Sequence, residues 1–582
     1  MVQARPLQMI IHPKSDKMLS LRQIVLSGFA AGLALTSVSP AEAAEQPSAT
    51  VDGTRIMWDY RSIQCIAPGG AYARVRRLDD GSLVAVYDRR GNTEKIRSYD
   101  DGRSWSEPQV LFPAHMYYGA GGDSVWIYTT NAEIYQLRNG TLIAGCNYRP
   151  SKPDIAPYAI VVSLSDDMGA NWSEPRVLYE AGTNFGDGCW EPSFLQLPSG
   201  ELQVYFANEG PYTTNADQEI TLMSSADNGA TWSEPRMVCF REGHRDGMPV
   251  AQVIGDEIVL SIEDNGYGEL QPYILRTELA DNWREPVLGD GPRREPAHLL
   301  PLPADVYAGA PYTLVLPTGE TLVSYQTTER RHPDWERSTL EVAVGDRTMR
   351  RFAKATRPID VPLDRSAMWN SLALWDRHTV VAVTSASFRE PYGVWIVKGY
   401  ILPPHMEARH DKVKVDGLVT PKEWGRDLPI FVGTRGPAQI RAAVGARGRT
   451  LCFGALVADT WRENPDAGIS FYLAPDNSDL GGAAYRVWCP AEGAAQVFRL
   501  DDGGWTEIPA GDVRVGCLRD PNGNGYSVEC SVPFGVVGKR DDAPVRVSVG
   551  LSALTDDGAA YEELLANSES GNPATWYRID LQ

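Results

Sequence analysis

The chain has 582 residues, 75 Asp and Glu against 55 Lys and Arg, and a formal net charge of -20. That length predicts about two to four domains. The acidic balance excludes nucleic acid or an anionic membrane as the main partner, because phosphate recognition needs clustered Lys and Arg.

The first residues read as an export signal spanning 1–44. Lys14, Lys17 and Arg22 precede the apolar run Ile24–Val38, which leads to Pro40-Ala-Glu-Ala-Ala. A charged start, a hydrophobic middle and small residues at a cut near Ala43 or Ala44 predict a secreted or periplasmic protein. The run is too short to span a bilayer. Eight cysteines permit disulfides in such a chain, but their spacing specifies no pairing, and free buried thiols are the plain alternative. There is no CxxC and no His-rich cluster, so neither a structural zinc, a catalytic metal nor a redox cofactor is expected.

Within 51–403, along Ala71–Thr384, one phrase recurs: an apolar residue, a tight polar turn, then an apolar strand. Its copies are Leu78-Asp-Asp-Gly-Ser-Leu, Leu137-Arg-Asn-Gly-Thr-Leu, Leu197-Pro-Ser-Gly-Glu-Leu, Val253-Ile-Gly-Asp-Glu-Ile, Leu316-Pro-Thr-Gly-Glu-Thr and Leu374-Trp-Asp-Arg-His-Thr. Each is a hairpin signal, and a spacing of roughly 60 residues suits four-stranded blades. No sustained helical period interrupts them. The expected fold is all-β, a six-bladed β-propeller. A second motif, Ser-x-Asp-x-Gly-x-(Ser/Asn/Thr)-Trp, begins at Ser98, Ser165 and Ser225, with a worn copy at Leu279–Trp283. It resembles the Asp-boxes of sialidases and is read as turn hardware without a catalytic role.

If the Gly turns share one face, the starts of first strands and the ends of second strands open on the other. Those positions carry charged or aromatic residues on every blade: Arg74, Glu133, Trp190-Glu191, Arg245-Asp246, Tyr307, Tyr312 and Trp369-Asn370 at the starts. Asp88-Arg89, Tyr148-Arg149, Asn208-Glu209, Glu263-Asp264, Glu329-Arg330 and Arg389-Glu390 stand at the ends. Such a funnel suits a polyhydroxylated ligand, with acids for chemistry and rings for stacking. Glycoside hydrolysis needs two carboxylates, one to protonate the leaving oxygen and one to attack the sugar or activate water.

Trp190-Glu191-Pro192, the strand ending in Asn208-Glu209, Asp217-Gln218, Arg245-Asp246-Gly247-Met248 and the strand ending in Glu263 occur in that order. This series resembles glycoside hydrolase family 93, the exo-acting 1,5-α-L-arabinanases, a six-bladed branch of the sialidase-like propellers. The resemblance implies a retaining enzyme that releases arabinobiose from the non-reducing end of an arabinan. The matching pair is Glu191, as acid/base, and Glu263, as nucleophile. Glu209, Asp217, Arg245 and Asp246 match positions that shape the subsites or hold the pair. Arg74, Glu133, Trp190, Trp369, Asn370 and Tyr392 complete the expected substrate-binding set. An exo-sialidase is the alternative, with an arginine trio of Arg74, Arg245 and Arg389 and Tyr392 as nucleophile. A non-catalytic glycan-binding propeller is the second.

After Pro403-Pro404 the pattern changes. Residues 404–414 read as a charged linker, and 415–582 as a β-sandwich, from apolar-alternating runs such as Arg449–Val457, Tyr526–Val532 and Val545–Leu551. The Val415-Asp-Gly…Glu423-Trp424 opening resembles family 9 carbohydrate-binding modules, and Trp488, Trp505 and Trp576 are candidate sugar-stacking rings. The expected partner is a polysaccharide or oligosaccharide, bound by a monomer.

Overall fold

The computed structural model describes residues 53–408, 413–476, 483–536 and 544–580. The export signal read over 1–44 lies outside the described residues, as does 409–412 of the expected linker.

Short apolar strands separated by Gly turns cannot bury two faces alone, so they stack as antiparallel sheets around a common axis. Six such sheets form in chain order. Blade 1 is Ala71–Arg77, Leu83–Arg89, Asn92–Ser98 and Gln109–Phe112. Blades 2 to 5 repeat the order from inner strands Ser124–Gln136, Cys189–Gln196, Asp246–Ile254 and Ala308–Val315. Blade 6 takes Ala367–Asp376, Thr379–Ala386 and Gly393–Leu402, then borrows its outer strand, Arg55–Trp58, from the opposite end of the chain. Side chains seal blade 6 to blade 1: Ser371 Oγ donates to Ala73 O (2.8 Å), and Arg74 to Asn370 O (3.3 Å).

All six recurrent phrases join first to second strands, and the Gly turns at Gly81, Gly140, Gly200, Gly255 and Gly319 adopt positive φ as the hairpins require. The Ser-x-Asp-x-Gly turns sit between third and fourth strands. In the Ser225 copy, Asp227 Oδ1 accepts from Thr231 N (2.7 Å) and Ser225 Oγ accepts from Gly229 N (2.8 Å); the other two copies repeat this pattern. The third-position carboxylate of each copy, Asp100, Asp167 or Asp227, is spent on its own turn.

Two further sheets pack face to face as the sandwich. One is built around Gly468–Pro475 and Val545–Leu554, the other around Thr450–Ala458 and Gly525–Pro533. Their inward residues, among them Phe453, Phe471, Val528 and Val549, make one continuous core. Glu529 is wholly buried and holds the Val415–Trp424 opening through Asp416 N (3.0 Å), Gly417 N (2.9 Å) and Trp424 Nε1 (2.8 Å). Trp576 is buried, donates to Glu569 O, and stacks on Trp505. The expected linker contains a strand, Met406–Glu407, paired in parallel with Tyr577–Asp580.

Propeller and sandwich share material. Met57 and Leu402 belong to the sandwich core, and the buried Arg55 donates to Ala566 O, Thr575 O and Ser568 Oγ, each at 2.8 Å. All eight cysteines are free thiols.

Candidate active site

Each inner strand carries a β-bulge, between Ala71/Arg74, Thr130/Glu133, Trp190/Ser193, Gly247/Val250, Gly309/Tyr312 and Met368/Ser371. The bulged residues are Tyr72, Asn131, Glu191, Met248, Ala310 and Trp369, all at φ between 51° and 62°. Left-handed backbone at non-glycine residues costs of order 1–3 kcal/mol each. A bulge re-aims its side chain out of the sheet pattern, and here the residues turn towards the propeller axis. Tyr72, Met248, Ala310 and Trp369 meet there in one apolar cluster that forms a floor. Glu191 is the only acid in the set.

A second ring ties the blades together. The second-strand residue facing each bulge is Asp88, Asn147, Ala207, Glu263, Gln326 or Ser385. Four of these accept the bulge N–H of the next blade: Asp88 from Asn131 (2.9 Å), Glu263 from Ala310 (2.7 Å), Gln326 from Trp369 (2.6 Å) and Ser385 from Tyr72 (2.9 Å). Blades 2 and 3 break the rule: Asn147 Oδ1 of blade 2 is buried without a hydrogen-bond partner among the described residues. Ala207 cannot accept, and the Met248 N–H turns instead to the Glu191 carboxylate (3.2 Å). Glu191 and Glu263 therefore flank the same bulge of blade 4 and line one mouth.

Their environments differ. Burial, and next the charge of Glu263, push the Glu191 carboxyl up to about 8, against the opposing pull of the Met248 N–H, Arg245 and Arg74. Burial also raises Glu263, opposed by the Ala310 N–H and Arg245. Glu191 is thus held protonated near neutral pH beside the Glu263 side chain, which a short N–H bond anchors. The space is tight: a Cβ on Gly309 would overlap the Tyr307 hydroxyl and lie 2.8 Å from Glu263 Oε2. One on Gly247 would lie 3.0 Å from Glu263 Oε1 and 3.1 Å from Gln218 Oε1.

Glu209, nearly fully buried, accepts from Trp190 Nε1 (3.1 Å) and binds Arg245, so it aims the cation that faces both glutamates. Asp217 is capped by Asn215, and Gln218, its neighbour, reaches the space beside Glu263. Below the floor, Arg74 and Arg76 clamp Glu133 (3.5 Å each), and Arg74 lies over the rings of Tyr72 and Tyr312. Trp369 contacts Tyr72 and Trp335, and Trp335 contacts Tyr307, giving an aromatic wall across blades 5, 6 and 1. Tyr392 is exposed on blade 6, and Asp88 and Ser385 act on its hydroxyl.

Besides Arg74 and Glu133 below the floor, two more of the expected ligand-binding residues are displaced from the mouth. Asp246 is fully buried with both oxygens on Arg294 (2.7 Å each), in a network with Asp264 and Arg241. Its neighbour Arg245 takes the exposed direction because strand residues alternate. Asn370 is also fully buried, bound by Ser324 and donating to Ala310 O (3.0 Å). The arginine trio is not assembled either: Arg74 is paired with Glu133, Arg245 with Glu209, and Arg389 with Tyr60 and Asp556 at the sandwich. Gln218, Gln326 and Trp335 were absent from the expected set. A signal for the bulge ring exists in Glu191-Pro192, Met248-Pro249 and Ala310-Pro311, which recur at blade spacing.

A family model described as a BNR repeat-like domain matches residues 150–289, which include both glutamates. Among solved structures, the GH93 α-L-arabinofuranosidase of Fusarium graminearum in complex with arabinobiose is 16% identical. That alignment covers 60% of this chain and 97% of the other at a TM-score of 0.43. An α-L-arabinanase of Penicillium chrysogenum complexed with arabinobiose is 16% identical, with 60% and 98% covered and a TM-score of 0.41. A Trypanosoma rangeli sialidase in complex with sialic acid is 13% identical, with 88% and 89% covered and a TM-score of 0.39. No curated protein matches the sequence.

Proposed function

We propose that the protein is an exported, retaining exo-glycoside hydrolase acting on arabinan or a related arabinose-containing polysaccharide. The observation that carries this reading is the pair Glu191 and Glu263 at one bulge, with burial and mutual charge holding Glu191 protonated at neutral pH. A protonated carboxyl beside an ionised one is the acid-and-nucleophile arrangement of retaining glycosidases.

In this reading the Glu263 carboxylate attacks the anomeric carbon while Glu191 gives its proton to the leaving oxygen. The C–O bond breaks and a glycosyl ester forms on Glu263. Esterification removes the Glu263 charge, which is the second-largest reason for the high Glu191 value. Glu191 therefore becomes more acidic once it has given up its proton. As a carboxylate it then takes a proton from water, whose oxygen displaces Glu263. Arg245 steadies both anionic forms, and the Tyr307–Trp335–Trp369 wall offers ring faces to the sugar. In this reading the sandwich, whose Val415–Trp424 opening resembles family 9 modules, serves a polysaccharide-acting protein.

The test compares wild type, Glu191→Gln and Glu263→Gln on linear arabinan and on a sialyl-oligosaccharide, with NMR of the first-formed anomer. Arabinan cleavage with retention, lost in both variants, is expected. Sialic acid release surviving both changes, or an inverted first product, overturns the reading.

A further inference from the structure

Blade 2 differs from the other blades at the mouth. Five inner strands begin one or two residues before their bulge, at Ala71, Cys189, Asp246, Ala308 and Ala367, whereas Ser124–Gln136 begins well upstream of Asn131. The extension pairs with His115–Tyr118 along the edge opposite Leu142–Pro150, which is the edge facing the axis. At roughly 3.3 Å per residue, the stretch from Trp126 to Asn131 spans about 17 Å.

The two faces of this hairpin differ. Residues directly opposite in an antiparallel pair share a face. Val125 and Ile127 are buried on Ala156, with Tyr148 and Ile155 against them. The other face carries the pairs Met116/Trp126 and Tyr118/Ser124. Trp126 is 48% exposed and Tyr118 77%. Aromatic rings left to water on a hairpin, one strand of which runs directly into the bulge ring, suit a ligand already seated at the mouth. Ring faces take the C–H surface of sugars without requiring a charge.

We propose that this hairpin is a stacking platform for the polysaccharide chain beyond the unit held between Glu191 and Glu263. The identity of the occupant rests on the hydrolase reading above. The platform makes affinity depend on chain length, because only a chain long enough to leave the mouth reaches Trp126.

The experiment measures kcat/KM of wild type, Trp126→Ala and Tyr118→Ser on linear arabinan and on arabinotriose. It adds migration of each protein, and of Glu263→Gln, through native gels containing arabinan. Trp126→Ala is expected to lower kcat/KM on arabinan about five- to tenfold through KM, to leave the trisaccharide unchanged, and to abolish part of the gel retardation. Tyr118→Ser acts in the same direction. Equal losses on both substrates, no loss on either, or wild type unretarded by arabinan overturns the proposal. A dimer split by Trp126→Ala would assign the face to a second copy of the chain and also overturn it. Retardation sensitive to Trp126 without any turnover would sink the hydrolase reading and leave the platform standing.

Discussion

Glu191→Gln is expected to stabilise the protein, and to do so only as pH rises. The carboxyl sits at about 8 in the folded chain and at an ordinary 4.5 once unfolded. Below about pH 4.5 both states keep the proton, so the change to Gln is nearly neutral. Between those values the unfolded chain has released the proton while the folded chain still holds it, so wild-type stability falls as pH rises. Above about 8 the loss is complete. At about 1.36 kcal/mol per pH unit the full displacement corresponds to about 5 kcal/mol. The side chain reaches the open mouth, and solvent there reduces this to about 2–3 kcal/mol. Gln keeps the acceptor for the Met248 N–H, so the bulge tie survives. The assay is urea denaturation of both proteins at pH 4.5, 6, 7 and 8.5, followed by tryptophan fluorescence. A gap that does not widen with pH, or a variant less stable at pH 8.5, refutes the reasoning.

Gly309→Ala drives a methyl group against Tyr307 and Glu263. Loss of about 100-fold in kcat with an unchanged circular dichroism spectrum is expected, since small misplacements of a reacting group are that costly. The kcat/KM profile should fall on its alkaline side near pH 8, where Glu191 loses its proton. Arg245→Gln removes a positive charge that favours ionisation of both glutamates, so both limbs should move to higher pH; a limb that moves down would show that Arg245 does not face the pair. Asp246→Asn breaks a buried ion pair and should cost about 3–5 kcal/mol in urea unfolding, with KM of the surviving folded enzyme little changed. A KM effect without destabilisation would return Asp246 to the sugar.

Blade number and hairpin positions were legible because Gly turns at a fixed interval leave few other ways to bury the strands. The central sandwich strands showed through alternation, though Ile430–Val432, Gln439–Ala446, Gly504–Ile508, Arg514–Arg519, Ala560–Leu564 and Tyr577–Asp580 did not. The closing strand Arg55–Trp58 was invisible, since nothing local says that residue 55 pairs with residue 402. At the site, Glu191 and Glu263 stood out as acids at strand ends. The difference between Arg245 and Asp246 did not, because adjacent strand residues point to opposite sides and register decides which one meets the ligand. The bulges also stayed hidden. A left-handed Tyr, Glu or Trp has no compositional mark as a glycine has, and only the recurring X-Pro at three of the six hints at it.

Arg55–Trp58 has a consequence for how the molecule is assembled. Its hydrogen-bonding edge is filled by Gly393–Leu402 and its guanidinium by Ala566 and Thr575. Synthesis from the amino end therefore exposes this segment long before any of its partners exist. The toroid can shut only after residue 402 has emerged, and Arg55 finds its carbonyl partners only near the end of the chain, so ring closure is made fast late. A gene truncated after Pro403 would retain the strand yet strip Arg55 of its carbonyls and Met57 of its packing. The two domains are accordingly a single unit of expression, and a stop codon between them should give a ring whose closing strand is weakly held and protease-sensitive.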